Sequence, residues 1–74
     1  MKYTKVYKEF SYGKELVGYQ CTKAYIEIEC EFKGIGSLLG NTKKWYHINE
    51  LKEKGLASCF DTLKEAKENI EKYL

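Results

Sequence analysis

The chain contains no arginine: all thirteen of its basic side chains are lysines. Arginine is the planar fork that grips phosphates and guanine edges with two parallel hydrogen bonds. Its absence weighs against sequence-specific DNA reading, while lysine can still hold a phosphate backbone. No apolar h-region follows the charged start at Lys2, and no apolar run approaches the ~20 residues of a membrane span. Three cysteines, Cys21, Cys30 and Cys59, are an odd number without disulfide-framework spacing. These absences predict a reduced, cytoplasmic protein without signal peptide or membrane segment. Internal repeats, linkers and low-complexity stretches are also missing.

What is present describes one small globular domain spanning residues 1–74. Hydrophobic residues make up 43% of the chain and aromatics 15%, enough to build a core. A domain of this length should be stable by about 4–11 kcal/mol. The net charge of +2 is too small to name an acidic partner.

The strongest pattern runs through residues 24–33. Ala24, Ile26, Ile28, Cys30 and Phe32 alternate with Tyr25, Glu27, Glu29, Glu31 and Lys33. Strict period two is the signature of a half-buried strand, with an apolar floor and a solvent face carrying three carboxylates in a row. Residues 2–10 read as a second strand, spoiled on its apolar side by Lys8, which predicts an edge position or a bulge. Residues 11–14 read as a turn. Residues 16–21 are a further apolar run broken by Gly18. Thr22-Lys23 is either a turn or a continuation into the central strand. Residues 34–41 hold three glycines and are read as a loop; its Ile35, Leu38 and Leu39 either fold under the helix or form an exposed patch that meets a partner. Strand character returns at residues 43–48. Residues 49–55 form either a short helix capped by Asn49 and stopped by Gly55, or a hairpin connection to a strand at residues 56–60; the second is the reading adopted.

Thr62-Leu63-Lys64-Glu65 fits a capping box opening a terminal helix. Leu63, Ala66, Ile70, Tyr73 and Leu74 form its apolar stripe; Lys64, Glu65, Lys67, Glu68, Glu71 and Lys72 form its wet face. The expected architecture is α+β: an antiparallel sheet of three or four strands, with one C-terminal helix packed on its apolar face.

No enzyme motif stands out. Cys21, Cys30, His47 and Cys59 are the right elements for zinc but lack a C-x-x-C knuckle, so neither metal nor cofactor is expected. His47 is the sole histidine and no Ser or Cys is set beside it by a recognisable motif. Gly34-x-Gly36-x-x-x-Gly40 lacks the Gly-Lys-Ser/Thr ending of a phosphate loop. Glu27, Glu29 and Glu31 stand roughly 6.8 Å apart along a strand, close to the spacing of successive phosphates. That row is either a plain solvated face, with Lys5 pairing across to one carboxylate, or a surface that would repel nucleic acid and suit a basic groove on another protein.

Lys44-Trp45-Tyr46-His47-Ile48, followed by Phe60-Asp61-Thr62-Leu63-Lys64-Glu65-Ala66-Lys67, resembles small proteins of phages and mobile elements. The F-x-T-x-x-E-A helix opening is similar to that of the arm-site DNA-binding domains of phage integrases, which are three-stranded sheets with a C-terminal helix but use arginines. Inhibitors of host defence, anti-CRISPR proteins among them, are similar in size and style. The resemblance implies a non-enzymatic phage protein that binds and blocks a nucleic-acid-handling defence complex in the host cytoplasm. The residues expected to meet that partner are Glu27, Glu29, Glu31, Ile35, Leu38 and Leu39. A nucleic-acid-binding accessory domain is the alternative.

Overall fold

Alternation and turn chemistry generate a meander. The computed structural model describes residues 2–30 and 43–74. Along the chain lie β1 (Thr4–Phe10), β2 (Gly13–Gln20), β3 (Tyr25–Cys30), β4 (Lys44–His47), α1 (Asn49–Glu53), β5 (Cys59–Phe60) and α2 (Leu63–Tyr73). The five strands form one antiparallel sheet in the order β1-β2-β3-β4-β5. The α+β class stands, but among the described residues the sheet has five strands rather than three or four. Two local decisions raise the count. The first is at Thr22-Lys23, which is a turn: the Cys21 amide donates to the Ala24 carbonyl at 3.0 Å, and the Gln20 side-chain amide donates to the Cys21 and Ala24 carbonyls. The second is β5, two residues long, which lies within the strand expected at residues 56–60 and pairs antiparallel with β4.

Residues 49–53 are helical, correcting the hairpin reading. Ile48, in extended conformation, occupies the N-cap, while the Asn49 side chain donates to Glu53 Oε1 at 2.9 Å. Gly55 ends α1 with φ +73°. The Gly55 amide donates to the Lys52 carbonyl and the Leu56 amide to the Leu51 carbonyl, both at 3.0 Å. This Schellman closure needs a left-handed residue at Gly55. It turns the chain back into β5, where the Ile48 amide meets the Ser58 carbonyl at 2.8 Å.

The core gathers Cys21, Ala24, Ile26, Ile48, Leu51, Phe60, Ala66 and Ile70. α2 packs over β4 and β5, and α1 over β3. The Thr62 hydroxyl accepts from the Glu65 amide at 3.2 Å, as a helix cap should, but donates to the Glu65 carboxylate instead of leaving it to reach the Thr62 amide. Ala66 and Ile70 are buried, with Leu63 and Leu74 partly so; Tyr73, placed on the apolar stripe by its spacing, is 42% exposed. Lys67 departs from the wet face. Its Nζ lies 4.8 Å from the Tyr3 ring centre and 5.8 Å from that of Tyr19, so its aliphatic stem covers apolar surface while its charge meets two ring faces.

One crossing shapes the sheet. β1 is an edge strand, as Lys8 suggested, and the irregularity lies opposite Val6 and Tyr7: Val6 pairs with Gly18 and Tyr7 with Leu16, leaving Val17 as the extra residue. Gly18 is buried, and a Cβ there would collide with the Tyr25 ring and hydroxyl and lie 2.5 Å from the Ile26 carbonyl oxygen. The glycine leaves room for Tyr25 to lie across β2, where its hydroxyl donates to the Val17 carbonyl at 3.4 Å. Gly18→Ala is therefore expected to lower stability by about 1–3 kcal/mol, the cost of overpacking against backbone. Urea denaturation checks this; a midpoint equal to that of the native chain would contradict the crossing.

Two tyrosines under α2 make the fold sensitive to alkali. Burial, then the neighbouring Cys21 and Glu71, pushes the Tyr3 phenol above its ordinary range, and its hydroxyl has no hydrogen-bond partner among the described residues. Burial, then Tyr46 and Tyr7, does the same to Tyr19. A raised folded-state pKa favours the protonated phenol in the native chain. That stability is fully present below the unfolded tyrosine pKa of about 10 and is lost as pH rises through the folded values. Melting temperature should hold steady up to about pH 10 and fall above it. Tyr3→Phe should soften the fall without destabilising the neutral-pH fold, because it removes a buried hydroxyl that makes no bond.

Candidate functional site

Tyr25, Glu27 and Glu29 alternate with buried Ile26, which points toward the core under the helices, so they occupy the opposite face of the sheet. The ladder sets Glu27 opposite His47, Glu29 opposite Trp45, and His47 opposite Cys59. Directly paired residues share a face with Cβ atoms roughly 4.5–5.5 Å apart. The open face thus carries one row of Glu27, His47 and Cys59, a parallel pair of Glu29 and Trp45, and the Tyr25 ring across Gly18. Cys59 is exposed; the other five of these residues are half-buried. Glu27 and Glu29 thus stand on the face opposite the core, as alternation implied, but half-buried. Trp45 on β4 stands opposite Glu29, and Tyr25 lies two residues from Glu27 on the same face of β3. Glu31, Ile35, Leu38 and Leu39 lie outside the described residues.

Beside this face runs a cleft of about 460 Å³, lined by Lys8, Phe10, Leu16 and Val17 of the hairpin and by Tyr25, Glu27, Ile28 and Cys30 of β3, with Glu15 and Lys44 also on its wall. Its origin is the bulge. β2 pairs with β3 only where Gly18, Tyr19 and Gln20 meet Glu27, Ile26 and Tyr25. Below Gly18 the strands part: among the described residues, 13–16 of β2 pair only with β1, and 28–30 of β3 only with β4. The hairpin arm ends in Phe10 and Tyr12, stacked with centroids 5.3 Å apart and planes 3° from parallel, and the Tyr12 hydroxyl donates to Glu15. Lys8 Nζ lies 5.7 Å from the Phe10 ring centre. Glu27 belongs to both the open face and the cleft wall, which joins them into one surface.

No protein-family model, curated protein or solved structure matches the chain. The reading of this surface therefore rests on its own chemistry. The thiol of Cys59 and the imidazole of His47 are cross-strand neighbours that sequence spacing could not reveal, yet neither lines the cleft. Cys21 is buried at the β2–β3 turn and Cys30 lies at the far end of β3. Among the described residues no group of three or more His, Cys, Asp or Glu is placed to hold a metal ion. What the surface offers is a mixture of aromatic, aliphatic and charged groups suited to contact with a macromolecule. Trp45 and Tyr25 entered no site expectation, and His47 was weighed only for metal or catalysis. The alternation in Lys44-Trp45-Tyr46-His47 is visible in the sequence, but assigning its face requires knowing which residue of β3 each one meets.

The cleft also moves the centre of the core. Ile26 is fully buried, whereas Ile28, expected beneath the helix, is half-buried on the cleft wall. Ile26→Asp should bury an uncompensated carboxylate and unfold the domain, at a cost of about 4 kcal/mol or more. Ile28→Asp places its carboxylate at an open wall and should leave a cooperative melt at reduced temperature. Circular dichroism melts of the two variants measure the difference.

Proposed function

We propose that this chain is a non-enzymatic binding protein that docks a partner protein on the open sheet face and the adjoining cleft. The observation carrying this reading is that Trp45, the only tryptophan, and His47, the only histidine, share the face opposite α2 with Tyr25, Glu27 and Glu29. Tryptophan and tyrosine supply much of the binding energy at protein interfaces, because a rigid ring covers a large area for little conformational entropy. The carboxylates favour a partner with a basic surface and act mainly on association rate and partner choice. Glu31, Ile35, Leu38 and Leu39 enter the proposal from the sequence alone. The partner class implied by the sequence resemblance is a nucleic-acid-handling host defence complex, with this chain as a phage-encoded inhibitor in the host cytoplasm.

The same rings would serve a nucleic-acid accessory domain as stacking platforms. Against that use, Glu27 and Glu29 sit between them, where phosphates would run.

The test is a pull-down from the natural host, followed by affinity measurements with the purified partner. Trp45→Ala is expected to weaken binding by at least about tenfold, the effect of removing an aromatic anchor. Glu27→Gln, Glu29→Gln and Glu31→Gln together should weaken it more at low salt than at high salt, because exposed charge pairs are screened. Circular dichroism confirms that both variants remain folded. Full affinity in both would exclude this face. Tight binding of native protein to single-stranded DNA, falling steeply with salt, would favour the accessory-domain reading instead.

A further inference from the structure

The outer edge of β1 is built to pair with itself, and we propose that it joins two copies of this chain into an antiparallel, two-fold symmetric dimer. Phe10 pairs with Gly13 across a two-residue loop, so these closing residues must direct their backbone groups at each other. Alternation then sends the backbone N–H and C=O of Phe10, Lys8 and Val6 into the sheet, and those of Lys5, Tyr7 and Glu9 outward. Among the described residues β1 is the first strand of the sheet, and no strand pairs with its outer side.

A second β1 running antiparallel must therefore match odd positions with odd positions. Of these registers, the one centred on Tyr7 uses all three outward residues on both copies: Lys5 faces Glu9 of the second copy, Tyr7 faces Tyr7, and Glu9 faces Lys5. Each match closes a ring with two backbone hydrogen bonds. The same register that maximises backbone pairing also sets opposite charges across the two-fold axis twice. Like charges directly opposite would disfavour pairing, and opposite charges support it. At the centre, Tyr7 is 55% exposed, the most exposed of the large hydrophobic side chains described, and the pairing lays two such rings side by side. Lys5 and Glu9 are both exposed, leaving their charges accessible to the second copy. A symmetric contact of this kind closes on itself and does not propagate.

An edge contact between seven-residue strands covers less than the ~1,200 Å² typical of stable complexes, so the dimer should be weak. Sedimentation equilibrium from about 10 µM to about 1 mM is the measurement, since the free energies of weak association fall in that range. The native chain is expected to shift from monomer to dimer. Lys5→Glu alone and Glu9→Lys alone each place like charges opposite twice and should weaken dimerisation by at least about tenfold. Lys5→Glu combined with Glu9→Lys restores both matches and should recover native association. Tyr7→Pro removes an outward N–H and the exposed ring at the two-fold axis but no hydrogen bond within the sheet, so it should abolish the dimer while leaving the circular dichroism spectrum native. A native chain that stays monomeric throughout overturns the proposal. So does a dimer that survives the single charge reversals, or a double reversal that fails to recover.

Discussion

The structure depends on the contact between Gly18 and Tyr25. Because Gly18 has no side chain, the Tyr25 ring crosses β2 and its hydroxyl reaches the Val17 carbonyl. Val17 is the extra residue of the bulge, and a bulged strand bends and twists away from its neighbour. β2 therefore follows β3 for only a short distance before leaving it. The cleft, the hairpin arm with its stacked Phe10 and Tyr12, and the prominence of the β1 edge all follow from that departure.

The remainder of the chain compensates for a sheet that separates at one end. A two-stranded ribbon is marginal alone, since it buries little surface. The closed end of the sheet must therefore hold the core, and its buried residues come from the β2–β3 turn, β3, Ile48, α1, β5 and α2. The short α1 contributes through Leu51, which is fully buried. Lys67 shows how a small domain extends its core: a charged residue adds cover to Tyr3 and Tyr19, which also pack against the core cluster. The result is asymmetric. One sheet face is covered by helices, while the other carries Tyr25, Trp45 and His47, with Glu27 and Glu29 between them.

Much of the fold was legible wherever a local period or cap decided the outcome. The alternation around Ile26 located the central strand, and Thr62 located the start of the last helix. Lys8 marked β1 as an edge. Each failure involves a contact that local sequence does not specify. Residues 49–53 are helical because Gly55 closes the turn and Leu51 finds the core, and only the second of these is tertiary. Ile28 has the same sequence environment as Ile26 but a different neighbour, since β2 has already left β3 by that point. Tyr73 falls on the helical stripe by spacing, yet it is 42% exposed while Leu74 beside it packs against the core.

By itself the sequence determined the type of the main elements, the α+β class, and the separation of apolar from acidic side chains along β3. It could do so because periodicity and capping are properties of neighbouring residues. The tertiary structure alone decided that His47 meets Glu27 and Cys59, that Trp45 meets Glu29, and that a cleft opens beside Ile28. Those facts depend on strand register and on one bulge, which bring together residues far apart in the chain. Nothing in the local order of residues encodes which pair across a sheet; the packing of Tyr25 over Gly18 does.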